Sequence, residues 1–349
     1  MSEEKIENEE IKEEKVEETK QNKKGKVKKK RNVKQIIFVA IAVIAVLLFA
    51  FYKMQRELFF YPGHDKKSYE ELSRTASFET VKIYYNRTTS ASSSASLDFS
   101  NEEIILQGWI KFNKPKEEKS PLIIYFGGNA GNSSAQMNSF NHAQMFQTYF
   151  PEFNFMTVDY PGYGLSTGEP SDDTMFEAGE QIYDYAKVQS YVDPSRIIII
   201  GYSIGTGVAS HVASYSQAPG LVLIAPYDKG NSLYNGAINS FYGPIKSLMR
   251  YDFNSSKEAE TIVCSPLIIA SRDDEIIDYH WSLNLGQYFK VEPEYLIIEN
   301  ITHNYYLNST PVLEKMAEYC SNHIKNNTEN TELEGVTDGN NWWFCKIRY

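Results

Sequence analysis

The chain has 349 residues, a formal net charge of −10 and 42% hydrophobic residues. It is long enough to bury a sizeable core, and its acidity argues against a dedicated nucleic-acid binder. Three scattered cysteines, Cys264, Cys320 and Cys345, do not make a disulfide framework, and the lack of a C-x-x-C pair excludes a zinc site built on that pattern.

Residues 1–32 are strongly charged and contain almost no apolar side chains. Glu and Lys alternate from Ser2 to Lys20, and a basic cluster extends from Lys23 to Lys34. Because such a segment cannot bury a core, its composition predicts a solvated, disordered tail. Much of the acidity of the chain lies here, so the net charge says little about the folded part.

An apolar run from Ile36 to Tyr52, extended by Val33, is close to the minimum length that spans a bilayer. It ends without an A-x-A cleavage pattern, which favours an uncleaved anchor at residues 33–53 over a cleaved signal peptide or a buried core helix. Basic residues are far more numerous before the run than after it, so the positive-inside rule predicts a single-pass protein with a cytoplasmic N-terminus. The rest of the chain would lie across the membrane, where glycosylation is permitted at the sequons of Asn86, Asn132, Asn254, Asn300, Asn308 and Asn326.

Strand and helix patterns alternate through residues 54–326, where we expect one domain. This alternation predicts a mostly parallel, eight-stranded α/β sheet with helices on both faces. The first two strands have no helix between them and should form an antiparallel edge, joined by a flexible Ser/Ala-rich loop at Ser90–Leu97. The predicted strands are Phe78–Tyr85, Ile104–Phe112, Leu122–Phe126, Phe153–Asp159, Arg196–Tyr202, Leu221–Ala225, Leu267–Ser271 and Tyr295–Ile298. The predicted helices are Ser134–Tyr149, Asp172–Gln189, Ile204–Tyr215, Trp281–Phe289 and Pro311–Lys325.

The last segment, residues 327–349, is polar at its start and is expected to be a tail outside the domain. Cys345 lies in this tail, whereas Cys320 lies on the last predicted helix. Free thiols are the expectation, and pairing of these two cysteines in an oxidising compartment is the alternative.

The pentapeptide Gly201-Tyr202-Ser203-Ile204-Gly205 directly follows four consecutive isoleucines. Such a β-branched run is typical of a strand buried on both faces. The two glycines permit a tight strand-to-helix turn that a Cβ would obstruct. This pattern is the G-x-S-x-G nucleophile elbow, which exposes the serine oxygen at the tip of the turn. Ser203 is therefore the candidate nucleophile.

A serine hydroxyl needs an adjacent base, and after an elbow of this kind an acid and then a histidine follow along the chain. Leu267–Ser271 predicts another buried strand, and Arg272-Asp273-Asp274-Glu275 comes next. An acid here would lie at the carboxyl edge of the sheet, where open α/β sheets place their sites. Asp274 is the preferred candidate and Asp273 the second.

His303 is the candidate base among the six histidines. It follows the last predicted strand and precedes the final helix, so its imidazole can reach back over the sheet edge to Ser203. Asp274 would fix the tautomer of the ring and stabilise the imidazolium. His280 is the rival candidate. The other histidines are set aside because they precede the sheet or lie on predicted helices away from the elbow.

The loop after the third predicted strand reads Gly127-Gly128-Asn129-Ala130-Gly131. A developing oxyanion needs preorganised N–H donors, and the usual pair is the residue after the nucleophile and a residue of this loop. We therefore expect the main-chain N–H groups of Ile204 and Asn129 to form the oxyanion hole. A phosphate-binding loop is the alternative, but neither G-x-G-x-x-G nor G-K-[ST] is present. No cofactor or metal site is predicted.

Several motifs occur in a fixed order, namely Leu58–Gly63, Gln107–Trp109, Tyr125–Asn132, Asp159–Ser166 and the Ser203 elbow. Together they resemble the Bem46 and ABHD12-13-17-type branch of the α/β-hydrolase superfamily, from about Leu58 to Lys325. The chain departs from the family pattern at Gly127, where the family often has His, and at Tyr202 and Ile204, where it often has Arg and Leu. Because main-chain groups form the oxyanion hole, Gly127 should be tolerated. The Asp159–Gly164 segment is interpreted as a structural turn near the pocket.

The resemblance implies an α/β-hydrolase fold and hydrolysis of an ester or thioester in a lipid or acylated substrate. The residues support the reaction type, a membrane-anchored serine hydrolase of the esterase, lipase or acyl-thioesterase kind that works through an acyl-enzyme. A non-catalytic binding protein with this fold is the alternative. The residues argue against a dehalogenase or epoxide hydrolase, which needs a carboxylate where Ser203 stands.

Residues 226–260 form a long insertion between the sixth and seventh predicted strands. A loop of this length usually serves as a lid or binding element. Its aromatic side chains would either line an acyl pocket or pack a small cap core of their own, and these are Tyr234, Phe241, Tyr242 and Phe253.

Overall fold

The structure is a computed structural model that describes residues 3–93, 96–237 and 243–335. The chain divides between Gln55 and Arg56 into two compact units, a helical N-terminal unit and a larger unit that contains the sheet. The candidate site lies within the larger unit.

Helix α1 begins at Glu3 and ends at Phe59. Composition predicts a disordered tail at residues 1–32, but the structure describes residues 3–32 as helical. Glu and Lys are good helix formers and can pair four residues apart, which favours a helix even where nothing is buried. Within α1, Val33–Phe59 is long and apolar enough to cross a membrane. Length and composition fit a membrane span or a signal sequence equally.

The larger unit alternates strands with helices along the chain. The strands are β1 (Tyr61–Pro62), β2 (Phe78–Ser93), β3 (Ser96–Lys111), β4 (Ser120–Phe126), β5 (Ala130–Gly131), β6 (Asn154–Val158), β7 (Val192–Tyr202), β8 (Gly220–Ile224), β9 (Leu267–Ser271) and β10 (Glu294–Ile298). The helices are α2 (Lys66–Ser73), α3 (Ser133–His142), α4 (Met145–Tyr149), α5 (Asp172–Lys187), α6 (Gly205–Ser216), α7 (Gly230–Ala237), α8 (Ser255–Ala259), α9 (Tyr279–Gly286) and α10 (Thr310–Gly335). Two 3₁₀ turns lie at Gly243–Leu248 and His303–Asn308.

Eight strands form one sheet in the order β10-β9-β8-β7-β4-β6-β3-β2. The pairs from β10 to β6 are parallel, whereas β3 is antiparallel to both β6 and β2. Strands β4, β8 and β9 are buried along their whole length, as expected for parallel strands covered on both faces. The predicted eight-stranded, mostly parallel sheet is confirmed.

The carboxyl ends of the central parallel strands meet at one edge of this sheet, so the loops that follow β4, β7, β9 and β10 converge there. Strands β1 and β5 form a separate two-stranded parallel pair. That pair joins the loop after β4 to the segment that precedes the sheet.

Some boundaries differ from the predictions. The predicted helix Ser134–Tyr149 is two helices, α3 and α4, separated at Gln144, whose φ of 52° cannot continue a right-handed helix. Within Ser90–Leu97, which is predicted as a loop, pairing of β2 with β3 continues to Ser93 and Ser96, because successive residues stay in register across the hairpin. Residues 94–95 lie outside the described part of the chain.

Three short helices and the full length of the last helix were also not predicted from the sequence. Helices α2, α7 and α8 are at most eight residues long, too short for a clear apolar periodicity. Helix α10 continues past the predicted domain boundary at residue 326 to Gly335. Cys264 and Cys320 are free, and Cys345 lies outside the described residues, as does the rest of the tail beyond residue 335.

Candidate active site

Ser203 occupies the sharp turn between β7 and α6. Its φ of 53° lies in the left-handed region, which costs a residue with a Cβ on the order of 1–3 kcal/mol and persists only where the surroundings enforce it. The surroundings here are the sheet itself, because Ser203 N–H donates to the carbonyl of Ile224 on the neighbouring strand at 2.9 Å. The turn therefore holds the serine side chain at the carboxyl edge of the sheet.

Both glycines of the pentapeptide are required by close packing around this turn. A Cβ on Gly205 would lie 2.2 Å from the carbonyl oxygen of Phe126 and 2.4 Å from that of Gly127. A Cβ on Gly201 would lie 2.6 Å from the Cβ of Ala209 on the following helix. The elbow therefore packs directly against the loop after β4.

His303 lies at the start of the 3₁₀ turn after β10, and its ring reaches Ser203. Its Nε2 lies 2.9 Å from Ser203 Oγ, and its Nδ1 lies 2.8 Å from Asp274 Oδ2 and 3.0 Å from Asp274 Oδ1. The side chain of His303 is 6% exposed and that of Asp274 is 0% exposed. The structure therefore brings the three predicted side chains into one buried hydrogen-bonded chain.

Asp274 is held as a carboxylate by several donors. Besides His303, its oxygens accept hydrogen bonds from the main-chain N–H groups of Ile276 and Ile277, at 2.9 and 2.8 Å, and from the Tyr306 hydroxyl at 2.9 Å. Burial alone would raise the pKa of Asp274, but the hydrogen bond and charge of His303, aided by the two N–H groups, hold that pKa below its usual value.

Two tyrosines that sequence reasoning did not place support this chain. Burial, together with the charge of Asp274, raises the pKa of Tyr306 strongly, so its hydroxyl stays protonated and donates. The same hydroxyl accepts from Ser271 N–H at 2.8 Å. The ring of Tyr202 faces the ring of His303 at 5.4 Å, and its hydroxyl donates to the His303 carbonyl. The only sequence signal for these roles was proximity to Ser203 and His303 along the chain.

The two acids beside Asp274 hold the loop that carries the histidine. Asp273 Oδ2 accepts from Asn300 N–H at 2.6 Å, and Glu275 Oε2 accepts from His303 N–H at 3.0 Å. Asp273, the second candidate acid, therefore bonds to the backbone of this loop and not to the imidazole.

The rival base His280 lies on the exposed side of α9. Its Nδ1 is 2.7 Å from Asp278 Oδ1 at the start of the same helix, and no bond from it to Ser203 is found in the described residues. Within the same part of the chain, no group of three or more His, Cys, Asp or Glu side chains is arranged to hold a metal ion.

Both residues of the expected oxyanion hole, Asn129 and Ile204, line the same cavity as Ser203. Gly128 approaches the elbow so closely that a Cβ there would be 3.7 Å from the Cβ of Ser203. Within the described residues, the main-chain N–H groups of Asn129 and Ile204 donate to no protein acceptor. These two N–H groups are therefore free to bind a substrate oxygen.

The Asp159–Gly164 turn makes hydrogen bonds to the loop after β4 and to the start of α3. Tyr160 donates a hydrogen bond from its hydroxyl to the Gly127 carbonyl at 2.9 Å. Asp159 Oδ1 accepts from Ser133 N–H at 2.6 Å at the start of α3, and burial raises the pKa of this acid to about 6. The motif therefore acts on the shape of the oxyanion loop.

A cavity of about 380 Å³ opens above Ser203. Most of its wall is apolar, and the residues that line it are Leu58, Phe59, Tyr61, Gly128, Asn129, Ala130, Gln136, Tyr202, Ser203, Ile204, Leu233, Ile276, His303 and Asn304. Such a lining suits an extended apolar group placed beside a few polar ones.

The 226–260 insertion contributes Leu233 of α7 to this wall. Its aromatics Tyr234 and Phe253 instead stack with Phe59, with ring centroids 4.4 and 6.0 Å apart. The insertion therefore packs a small aromatic core and lends the pocket an aliphatic side chain. Phe241 and Tyr242 lie outside the described residues.

Comparison with known proteins agrees with this architecture. Residues 121–267 match the family model of the alpha/beta hydrolase fold. The alpha/beta hydrolase domain-containing protein aho-3 of Caenorhabditis elegans is 28% identical over 191 residues, which cover 55% of this chain and 54% of that protein. The human alpha/beta hydrolase domain-containing protein 17C is 26% identical over 173 residues, which cover 50% of this chain and 51% of that protein. The chain thus spans about half the length of these relatives.

Solved structures show the same fold. An esterase of Pyrococcus furiosus superposes with a TM-score of 0.54 at 16% identity, over 76% of this chain and 96% of that one. The alpha/beta hydrolase GrgF of a Penicillium species gives 0.51 at 14% identity, over 70% of this chain and 99% of that one. At these identities the likeness concerns the fold alone. The chain therefore has the α/β-hydrolase fold and is related to the ABHD17-like branch of that superfamily.

Proposed function

We propose that this hydrolase is a membrane-anchored serine hydrolase that cleaves a carboxylic ester or thioester through an acyl-enzyme. The observation that carries the proposal is the continuous hydrogen-bonded chain from Ser203 through His303 to Asp274, buried at the foot of an apolar cavity. A nucleophile, a base and an orienting acid in this geometry are what acyl transfer requires.

In the first half-reaction, Ser203 Oγ attacks the acyl carbonyl carbon while His303 Nε2 takes the hydroxyl proton. Asp274 fixes the ring with its proton on Nδ1 and stabilises the imidazolium. The tetrahedral intermediate then expels the alcohol or thiol, which takes the proton from Nε2, and the acyl group stays on Ser203. Burial of the triad keeps bulk water from competing for these protons.

In the second half-reaction, a water molecule attacks the acyl-enzyme while His303 Nε2 takes one of its protons. The intermediate releases a carboxylic acid, and the proton returns to Ser203 Oγ. In both halves the negative charge on the carbonyl oxygen would be bound by the N–H groups of Ile204 and Asn129, whose lack of a protein acceptor in the described residues supports this role.

The substrate we propose is a lipid or an acylated molecule whose acyl chain occupies the apolar cavity. Three of the residues that line this cavity, Leu58, Phe59 and Tyr61, follow the proposed anchor within a few positions of the chain. An enzyme tethered in this way meets substrates that are themselves held at a membrane.

For the topology, we propose a cytoplasmic segment at residues 1–32 and a transmembrane anchor at residues 33–53. The hydrolase domain at residues 54–326, with its lid at 226–260, would then lie on the opposite side of the membrane, followed by the tail at 327–349. Charge asymmetry around the anchor supports this orientation.

A fluorophosphonate probe tests the reaction type, because it reacts with activated serines. We expect the full-length chain to be labelled, Ser203→Ala to be unlabelled, and Ser73→Ala, which removes an exposed hydroxyl on α2, to be labelled like the wild type. A properly folded wild type that takes no label would favour a non-catalytic binding protein.

A further inference from the structure

The side chain of Asn129 makes three hydrogen bonds that its proposed main-chain role does not require. Its Oδ1 accepts from Tyr61 N–H at 3.1 Å and from the Tyr163 hydroxyl at 2.8 Å. Its Nδ2 donates to the Phe59 carbonyl at 2.6 Å. One carboxamide thus joins the loop after β4 to two segments that are distant in sequence.

The loop needs such a fixing point. Asn129 follows Gly127 and Gly128 and precedes Gly131, and glycines restrict backbone conformation least. Oxyanion binding, however, demands a donor within about 2.7–3.1 Å of the developing charge. Glycines alone do not hold the Asn129 N–H within this distance range, so contacts with other segments of the chain must fix the loop.

The segment Phe59–Tyr61 is itself firmly placed in the larger unit. The Phe59 ring stacks on Tyr234 at 4.4 Å, and the Phe60 ring meets Tyr251 edge-on at 4.9 Å. Tyr61 also pairs with Ala130 in the short parallel ladder of β1 and β5. The carboxamide of Asn129 is therefore anchored to a rigid wall of the pocket.

We propose that the Asn129 carboxamide is a positioning residue that aims the Asn129 N–H into the oxyanion hole by fastening this loop to Phe59–Tyr61 and to Tyr163. The inference rests on the proposed hydrolase function. It makes Phe59–Tyr61, where α1 ends and β1 begins, part of the catalytic apparatus, so that a disturbance of this segment changes turnover as well as binding.

Three variants separate positioning from mere stability. Asn129→Ala removes all three bonds, whereas Asn129→Asp keeps the acceptor oxygen and places a second oxygen against the Phe59 carbonyl. Tyr163→Phe removes a single bond and leaves Asn129 intact, which keeps the test valid if changes at Asn129 prevent folding. Asn141→Ala on α3 is the matched control, because the Asn141 carboxamide has no hydrogen-bond partner among the described residues.

The experiment measures kcat and KM on an aryl acyl ester, the affinity for a trifluoromethyl ketone that mimics the oxyanion, and the melting temperature. We expect kcat to fall on the order of 10- to 100-fold in both Asn129 variants, with KM changed less than about threefold and ketone affinity falling in parallel with kcat/KM. Tyr163→Phe should lose about three- to tenfold in kcat, the effect of one neutral hydrogen bond.

Three results would overturn the inference. In the first, kcat of the folded variants stays within about twofold of the wild type. In the second, the change is confined to KM with ketone affinity intact, which would mean that Asn129 only shapes the pocket. In the third, the wild type itself shows no Ser203-dependent turnover, and the proposed function then falls together with the inference. An active wild type with unaffected Asn129 and Tyr163 variants would overturn the inference alone.

Discussion

His303 Nε2 lies 2.9 Å from Ser203 Oγ, although 100 residues separate the two in sequence. The contact exists because β7 and β10 belong to one sheet and both end at the same edge. Asp274, at the end of β9 between them, completes the chain. The proposed chemistry therefore depends on the topology of the sheet, which places three loops at one point.

Asp274→Asn should lower kcat by about four orders of magnitude while the fold is kept, because an amide donates to Nδ1 and stabilises the wrong tautomer of the ring. Asp273→Asn is the matched control, since its remaining oxygen can still accept from Asn300 N–H. We expect that control to retain kcat within about threefold. Equal losses in the two variants, measured on one aryl ester, would contradict the choice of Asp274.

Leu233→Trp should shorten the acyl chains that the enzyme accepts. Leu233 is 8% exposed and lines the cavity, so an indole at this position fills part of the space left for the acyl group. We expect kcat/KM to fall about tenfold for long-chain aryl esters and to change less than threefold for acetyl esters. Val188→Trp, at a position that is 72% exposed, controls for the added ring, and an unchanged chain-length profile would argue against this cavity as the acyl site.

His211 predicts a pH dependence of stability away from the site. Its Nε2 lies 2.9 Å from Glu180 Oε1 and its Nδ1 lies 3.4 Å from Glu258 Oε1. Burial lowers the pKa of His211, but the bonds and charges of the two glutamates outweigh it and raise that pKa overall. The stability that this pairing adds is thus complete below the unfolded pKa of about 6.5 and is lost as pH rises through the higher folded pKa.

Urea unfolding of wild type and His211→Gln at about pH 6 and about pH 9 tests this sign. The wild type should exceed the variant by roughly 0.5–1 kcal/mol more at the acidic pH, a modest value because solvent reaches all three side chains. If the difference in the free energy of unfolding between wild type and His211→Gln grew with pH, the raised pKa of His211 would be contradicted.

Membrane attachment gives a further prediction. Full-length protein should stay with the membrane fraction after alkaline carbonate washing, and protease added to sealed vesicles of defined orientation should spare the hydrolase domain on the enclosed side. Replacing several residues of 33–53 with Ser should release the domain. Release of unaltered protein by carbonate would contradict the proposal of an anchor. Cleavage of the domain from the cytoplasmic side would contradict the proposed orientation.

Local signals were sufficient to predict the elbow and its partners. Four isoleucines before Gly201 indicate a buried strand, two glycines indicate the turn, and chain order selects an acid and then a histidine. None of these signals depends on how distant segments pack. The nucleophile, the acid and the base could therefore be nominated without a structure.

Other parts of the site depend on contacts that no local pattern encodes. Asn129 bonds to Tyr61 and Phe59, which lie 68 and 70 residues earlier in the chain, and to Tyr163, 34 residues later. The break at Gln144 likewise has no local signal, because glutamine is not a residue that favours positive φ. Composition alone also does not decide between disorder and helix before residue 33, since the Glu- and Lys-rich content that indicates disorder equally favours an exposed helix, and the structure describes a helix from Glu3.

The most direct test of the central claim is to trap the acyl-enzyme. Full-length protein is mixed with an aryl ester, quenched in acid during turnover and digested, and the modified peptide is identified by mass spectrometry. We predict an acyl group on Ser203 in the wild type and none in His303→Ala, which should keep its fold but lack the base. An unmodified Ser203 during active turnover, or equal acylation without His303, would contradict the proposed mechanism.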